Sequence, residues 1–170
     1  ESGEPVLLAV PADTPGLQRR PLSTVDRTRR CADVQAEAVT LPSDARLAQG
    51  AVLARALERA TDLAAIALAG SQVGVAQQCL DLALAYAAQR VQFGQPIAAF
   101  QAVKHRCAEM MVKLEGARSA LGGALAAGGG LQGALALDEI AVARVQAAEA
   151  YRFCAAEAIQ LHGGVGFTWE

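Results

Sequence analysis

Residues 90–97 read RVQFGQPI, and this short stretch separates two long helical patterns. Gly94 and Pro96 disfavour a continuous helix, because glycine is too flexible and proline has no amide hydrogen to donate to the preceding turn. Before the break, residues 51–90 contain no proline, and a single helix over them would be about 60 Å long. Large apolar residues occupy more than one of its faces, which predicts a helix packed between other elements.

Two further helices are predicted after the break. Residues 100–126 repeat apolar side chains at alternating spacings of three and four, which marks one apolar helix face. Residues 135–161 carry a similar stripe made mostly of alanine, so neighbouring backbones can approach closely. This helix is expected to end at His162, because Gly163 can adopt the left-handed conformation that closes many helices. The glycine-rich stretch 120–137 is interpreted as containing a loop, not a membrane span.

The first 43 residues differ from the rest, because short apolar runs alternate there with proline, glycine and aspartate. This pattern predicts strands at residues 6–10, 17–22 and 31–39. Three strands make only part of a sheet, and the chain has no initiator methionine, so we expect sequence upstream. The aromatic residues close to Glu170 lead to the same expectation downstream.

The predicted fold is therefore mostly α: a long antiparallel helix bundle preceded by a few strands of an incomplete β-domain. Residues 1–46 are assigned to the end of that β-domain and residues 47–170 to an incomplete helical domain. The first helix is expected to start near Leu47, with Ser43 and Asp44 as candidate N-cap residues.

Composition excludes several classes of function. Lys and Arg number 15 against 17 Asp and Glu, and this net charge of -2 gives no basic excess for nucleic acid or an anionic membrane. A hydrophobic content of 53% with 19% charged residues argues against disorder. The four scattered cysteines lack zinc-ligand spacing, which predicts no metal site and a reducing, cytoplasmic location.

Three strings carry more specific information: RVQFGQPI at 90–97, FQAVKH at 100–105 and QLHGGVGFTWE at 160–170. In order, spacing and helix context they resemble the acyl-CoA dehydrogenase family, whose pattern is R-x-x-F-G-x-x-I, then Q-x-x-x-(H/F), then Q-(I/L)-x-G-G-x-G-(F/Y). The resemblance covers nearly the whole chain. It implies the end of the family's β-domain followed by the first part of its C-terminal helical domain.

The resemblance implies an FAD enzyme that oxidises an acyl-CoA thioester to 2,3-enoyl-CoA. A base would remove the α-proton while hydride passes from the β-carbon to the flavin. Electron-transfer flavoprotein or a similar acceptor would then reoxidise the cofactor. The family assembles as a dimer of dimers, here homo- or hetero-oligomeric, with FAD lying across a subunit interface.

The resemblance also implies a set of cofactor contacts. Arg90 matches the arginine that binds the FAD diphosphate of the neighbouring subunit, a task for which a guanidinium offers paired donors. An arginine at a helix C-terminus is also favoured by the helix dipole alone. His162 is interpreted as local packing or a contact beside the cofactor, not as a catalytic group. The remaining expected cofactor contacts are Gln92, Phe93, Gln101, Gln160, Gly163 and Gly164.

The catalytic base is left unassigned. One of the two family positions for the catalytic glutamate falls on Ala64, beside Ala65 where an arginine is common. Asp62 matches an aspartate that faces the pantetheine arm of acyl-CoA, and it lies about 200° around the helix from Ala64. The base therefore belongs to residues outside this chain, or this subunit is not catalytic.

Three alternatives remain open from the sequence. The first is a flavoenzyme of the same fold, either an acyl-CoA oxidase or a flavin monooxygenase, which would consume oxygen. The second is the non-catalytic partner subunit of a heteromeric dehydrogenase, favoured by the two alanines at 64 and 65. The third is a helical oligomerisation module that has lost its cofactor.

Overall fold

The computed structural model describes residues 4–127 and 137–168. The chain divides into two compact units, with the division falling after Glu58. The division of domains predicted at residues 46 and 47 stays a prediction. A mostly helical chain preceded by a few strands is confirmed, because three long helices follow four short strands.

The first unit holds two antiparallel pairs of strands. Strand β1 (Val6–Leu8) pairs with β4 (Arg46–Gln49), and β2 (Leu17–Pro21) pairs with β3 (Ala32–Ala36). In the second pair Leu17 lies opposite Ala36 and the register runs without a bulge. The three strands predicted from the sequence are therefore present, each shorter than predicted.

The predicted start of the first helix is wrong. Ser43 and Asp44 do not cap it, because residues Ser43–Ala45 form a single 3-10 turn that leads into β4. Helix α1 (Gly50–Gln89) begins after that strand, at a glycine with φ of +65°. Strand β1 supplies backbone partners to residues 46–49, and this long-range pairing overrides the local helical preference.

The other two helices have nearly the predicted bounds. Helix α2 covers Gln101–Ala127 and α3 covers Leu137–His162. The predicted left-handed end of α3 is confirmed at Gly163, whose φ is +61°, and a 3-10 turn follows at Gly163–Gly166. The predicted glycine-rich loop lies partly within α2, and residues 128–136 are outside the described part of the chain.

The RVQFGQPI break is a small hairpin. Strands β5 (Val91–Gln92) and β6 (Gln95–Pro96) pair across a two-residue turn. Phe93 and Gly94 both have positive φ, +53° and +78°, as a type I′ hairpin turn requires. A 3-10 turn at Ile97–Ala99 then leads into α2.

Contacts between the helices fix their directions within the second unit. Helix α2 runs antiparallel to α3, because Arg106 lies 3.6 Å from Glu157 at one end while Gly116 lies near Gln146 further along. Helix α1 runs antiparallel to α2 and parallel to α3. Near the middle of α1, Gln77 accepts a hydrogen bond from Arg118 of α2.

The core of the second unit is built mainly from small side chains. The apolar stripes predicted on α2 and α3 are buried or partly buried, whereas several large apolar residues of α1 remain exposed, among them Leu82 and Leu84. The main core cluster consists of Ala69, Val73, Ala76, Leu80, Ala83, Met110, Leu114, Ala117, Ala147, Ala150, Cys154 and Ala158. Alanine at the contacts lets the helix backbones approach closely, which explains the low aromatic content.

Within the described residues, α1 is the one helix whose length and composition would allow it to cross a membrane. Core helices of water-soluble bundles have the same length and composition. The absence of a membrane span stays a prediction.

Candidate functional site

Three helix ends meet at one end of the helical unit. Because α1 is parallel to α3 and antiparallel to α2, the C-terminus of α1, the N-terminus of α2 and the C-terminus of α3 lie together. We call residues 86–101 and 160–166 the hairpin end, after the β5–β6 hairpin that they contain. The structure brings all the predicted cofactor residues to this end: Arg90, Gln92, Phe93, Gln101, Gln160, Gly163 and Gly164.

Arg90 has a fixed backbone and an exposed side chain. Its amide donates to the Tyr86 carbonyl oxygen at 2.8 Å, and its carbonyl oxygen accepts from the Ile97 amide at 2.8 Å. Across residues 4–127 and 137–168, no carboxylate pairs with its guanidinium. An anchored backbone carrying an unpaired cation is suited to binding an anion from outside the chain.

Phe93 occupies a strained position at the hairpin tip. Its φ of +53° lies in the left-handed region, which costs about 1 kcal/mol or more for a non-glycine residue. The residue is 92% exposed, and its ring makes an edge contact with Phe100, with centroids 6.1 Å apart. The packing of the chain therefore does not account for an aromatic residue here. Gln92, beside it on β5, is also exposed.

His162 stacks on Tyr86 at the same end. The ring centroids are 4.4 Å apart and the planes are inclined by 26°. The His162 Nδ1 atom lies 2.7 Å from the Ala158 carbonyl oxygen, so Nδ1 carries the hydrogen and donates it. One edge of the ring is thus held by α3 and one face by α1. This contact is local packing, one of the two roles expected for His162, and a contact beside the cofactor stays a prediction.

The structure requires glycine at some of the positions after α3 and not at others. A Cβ on Gly166 would lie 2.8 Å from the Ile159 carbonyl oxygen, so the turn itself requires glycine there. Gly163 needs glycine for its positive φ. Gly164 has neither constraint, because its φ is not positive and a Cβ there would meet nothing within 4 Å. An external group that approaches the backbone at Gly164 would account for it.

The two candidate glutamines offer unused amide groups. Gln101 is the first residue of α2, Gln160 lies in the last turn of α3, and both are exposed. In the described part of the chain neither side-chain amide makes a hydrogen bond. They add neutral donors and acceptors to the cationic Arg90.

Asp62 lies far from this cluster. It is half-buried on α1, 28 positions before Arg90, or about 42 Å away along the helix. The structure therefore does not bring the predicted substrate residue together with the predicted cofactor residues. Ala64 is exposed nearby, and Ala65 lines a groove of about 460 Å³ between α1 and α3.

No group of three potential ligands in the described residues could hold a metal ion. The thiols of the helical unit are also poor ligands. Burial raises the pKa of the Cys79 and Cys107 thiols, and burial followed by the neighbouring Cys79 raises that of Cys154 to about 11. Their thiolate forms are scarce near neutral pH.

The residues of the hairpin end fit a ligand with phosphate groups. The structure places an unpaired guanidinium, two unpaired amides and an open backbone at Gly164 at the same end of the helical unit. Phosphate oxygens accept from such donors, and guanidinium is the donor best matched to them. The FAD diphosphate is a group of this chemistry.

Comparison with known proteins identifies the relatives of this chain. Residues 46–170 match the sequence model of the acyl-CoA dehydrogenase C-terminal domain. Acyl-CoA dehydrogenase IpdE2 of Mycolicibacterium smegmatis is 41% identical over 152 residues, an alignment covering 89% of this chain and 42% of the relative. The chain thus spans less than half the length of that relative.

Solved structures share the same fold. An acyl-CoA dehydrogenase from Geobacillus kaustophilus superposes with a TM-score of 0.89 at 27% identity, covering 96% of this chain and 43% of that one. A variant of the Tcur3481–Tcur3483 steroid acyl-CoA dehydrogenase gives 0.79 at 33% identity, covering 92% and 40%. By the match of residues 46–170 and by these similarities, the chain belongs to the acyl-CoA dehydrogenase family.

Proposed function

We propose that the protein is an FAD-dependent acyl-CoA dehydrogenase subunit that converts an acyl-CoA thioester to its 2,3-enoyl form. The observation that carries the proposal is the unpaired, backbone-anchored Arg90 at the same end of the helical unit as the open Gly164. Family membership supports the oxidoreductase class. FAD, when bound, supplies the acceptor for the hydride that leaves the β-carbon.

The residues of the chain have distinct roles in this proposal. Arg90 binds the diphosphate through paired N–H donors. Gln101 and Gln160 hydrogen-bond the nucleotide, and Gly164 lets the main chain approach it. Gln92 and Phe93 contact the same cofactor from the hairpin tip, which gives a reason for the strained, exposed phenyl ring.

The separation of about 42 Å between Asp62 and Arg90 supports an oligomeric enzyme. We propose that Arg90 serves the FAD of a neighbouring subunit, while Asp62 faces the pantetheine arm of acyl-CoA in a different active site. Exposed apolar side chains on α1, such as Val75 and Leu82, provide surface that a neighbouring subunit would cover. The proposed assembly is a homo- or hetero-oligomeric dimer of dimers. The proposed location is the cytoplasm, and the proposed electron acceptor is electron-transfer flavoprotein or a similar protein.

A second candidate function is the non-catalytic partner in a heteromeric dehydrogenase. The residues that favour it are Ala64 and Ala65, because an alanine side chain cannot accept the α-proton. The name of the similar Tcur3481–Tcur3483 steroid acyl-CoA dehydrogenase joins two proteins, which is consistent with this candidate. Such a subunit would donate Arg90 to the FAD of its partner.

Flavin binding tests the main proposal. Purified protein containing this chain is expected to carry FAD, detected by its visible absorbance. Replacing Arg90 with alanine is expected to weaken FAD binding about tenfold or more, because a charged, paired contact is lost. The matched control is Arg144→Ala, an exposed arginine about 27 Å from His162 along α3. Equal FAD affinity in the Arg90 variant and the control would contradict the proposal.

Native mass measurement and anaerobic reduction separate the two candidates. A catalytic homo-oligomer is expected to bleach its own flavin when acyl-CoA is added without oxygen. A non-catalytic partner is expected to do so only when it is copurified with a second dehydrogenase chain. Oxygen consumption matching substrate turnover would instead identify an oxidase or monooxygenase.

A further inference from the structure

We infer that Tyr86 and His162 are a positioning pair, which sets the placement of the Arg90 guanidinium relative to the Gly163–Gly164 backbone. The inference rests on the proposed function, because it assigns these two side chains to the binding of the same diphosphate. Neither residue is assigned contact with the ligand. Each acts through the neighbour to which it is joined.

The stack joins two helices at their ends. Tyr86 belongs to the last turn of α1 and His162 is the last residue of α3, with the rings 4.4 Å apart. In the described parts of the chain this is the one ring stack between these helices. The Nδ1–H bond to Ala158 fixes the imidazole plane, so the stack has a defined orientation.

Each of the two aromatic residues is bonded directly to a residue at the proposed FAD site. The Tyr86 carbonyl oxygen accepts a hydrogen bond from the Arg90 amide at 2.8 Å, and this bond lies at the C-terminal end of α1. On the other side, His162 is covalently joined to Gly163, which turns the chain by its positive φ. The stack therefore connects the arginine to the glycine turn across the ends of α1 and α3.

The contact contributes little to the core beneath it. Both rings are only partly buried, whereas the nearby Ala83 and Ala87 on α1 are fully buried and close the interior. Loss of the stack should therefore leave the helices folded and let their ends move relative to each other. Binding groups that are no longer held in place bind their ligand more weakly, because the ligand must then order them.

Four variants of the protein containing this chain test the inference. Titration of apoprotein with FAD gives the dissociation constant, and thermal unfolding of the apoprotein gives Tm. His162→Ala and Tyr86→Leu are expected to weaken FAD binding about tenfold while Tm stays within about 2 °C. Tyr86→Phe keeps the stack and is expected to bind FAD within about threefold of wild type. His162→Phe keeps a ring but loses the Nδ1 bond, and an intermediate loss is expected.

Phe153→Leu is the matched control. The Lys113 ammonium of α2 lies 5.2 Å from the centre of the Phe153 ring on α3. Phe153 is about 14 Å from His162 along α3. Because it is an aromatic contact between helices away from the hairpin end, its loss is expected to lower Tm without changing the FAD dissociation constant. An equal loss of FAD affinity in this variant would overturn the inference, since general loosening of the bundle would then explain the effect.

A double-mutant cycle distinguishes positioning from simple stability. If the stack sets the placement of Arg90 relative to the Gly163–Gly164 backbone, His162→Ala is expected to have about threefold or less effect on FAD affinity when Arg90 is already alanine. Full additivity would overturn the inference. Normal FAD affinity in His162→Ala and Tyr86→Leu, together with weak FAD binding by Arg90→Ala, would overturn this inference and leave the proposed function standing. Normal affinity in the Arg90 variant would contradict the proposed function itself.

Discussion

The Cys154 thiol of α3 lies 3.7 Å from the main-chain carbonyl oxygen of Met110 on α2, and both residues are fully buried. A side chain of one helix thus touches the backbone of the other. Such close approach is possible because alanines fill most positions between the helices. A core of this kind has a few large side chains and little empty space, so its stability depends on where those large side chains lie.

Replacing Met110 with alanine is expected to lower the free energy of unfolding by about 2–5 kcal/mol, because it removes one of the largest buried side chains. Urea denaturation followed by circular dichroism measures the change. The adjacent Met111 is 43% exposed, and its replacement with alanine should change stability by about 0.5 kcal/mol or less. Equal losses in the two variants would show that the described packing of α2 is wrong.

Enlarging a core alanine is expected to be unfavourable as well. Ala83 of α1 is fully buried, and Ala83→Leu should destabilise the protein by about 1–3 kcal/mol through overpacking. Ala85 lies two residues later on an exposed face, so Ala85→Leu should be nearly neutral. The melting temperatures of the two variants provide the comparison. A neutral Ala83→Leu variant would mean that the helices are not in close contact there.

The sequence was sufficient to predict the three helices and the strands β1, β2 and β3, but not β4 or the β5–β6 hairpin. The α2 and α3 stripes have the helical period over many turns, and all the buried residues of these two helices except Ala124 belong to the predicted stripes. Strand β4 was missed because four residues cannot establish a period, and its partner β1 lies about 40 residues earlier. The hairpin at residues 91–96 was predicted only as a break, since its turn uses Phe93 in a conformation rare for that residue.

The sequence strings also located the candidate site, because three strings in register converge at one end of the helices. The Tyr86–His162 stack was not predicted, since it joins residues 76 positions apart that share no local pattern. The G-x-G spacing could not separate the glycine that the turn requires, Gly166, from one with open space, Gly164. That distinction depends on where the Ile159 carbonyl oxygen lies.

The cysteines are expected to differ sharply in reactivity. Cys31 is exposed on the first unit, whereas burial raises the pKa of the Cys154 thiol to about 11. At pH 8, a maleimide reagent should label Cys31 in seconds to minutes and Cys154 only after denaturation, because the thiolate is the reactive form. Peptide mass spectrometry identifies the labelled sites. Fast labelling of Cys154 in the native protein would contradict its burial.

The same burial links stability to alkaline pH. The folded chain holds the Cys154 proton above the ordinary thiol pKa of 9.0, so the unfolded chain releases it first. The stabilisation is fully present below pH 9 and is lost as the pH rises towards 11. Urea midpoints measured from pH 8 to pH 11 should fall, and the fall should be smaller in Cys154→Ala. An equal fall in both proteins would assign the effect to other groups.

Alanine substitutions at Gly164 and Gly166, two of the three glycines in the turn after α3, are expected to have different effects. In Gly166→Ala the new Cβ would lie 2.8 Å from the Ile159 carbonyl oxygen and 2.9 Å from the His162 Cβ, so the turn must move. We expect a loss of about 1–3 kcal/mol in stability, measured on apoprotein by urea denaturation. Gly164→Ala places its Cβ in open space and should leave that stability within about 0.5 kcal/mol. If FAD approaches this backbone, the Gly164 variant should nevertheless bind FAD more weakly, as titration of apoprotein would show. Unchanged affinity in the Gly164 variant would remove that glycine from the proposed site, whereas an unstable Gly164 variant would show that the chain itself fills the space.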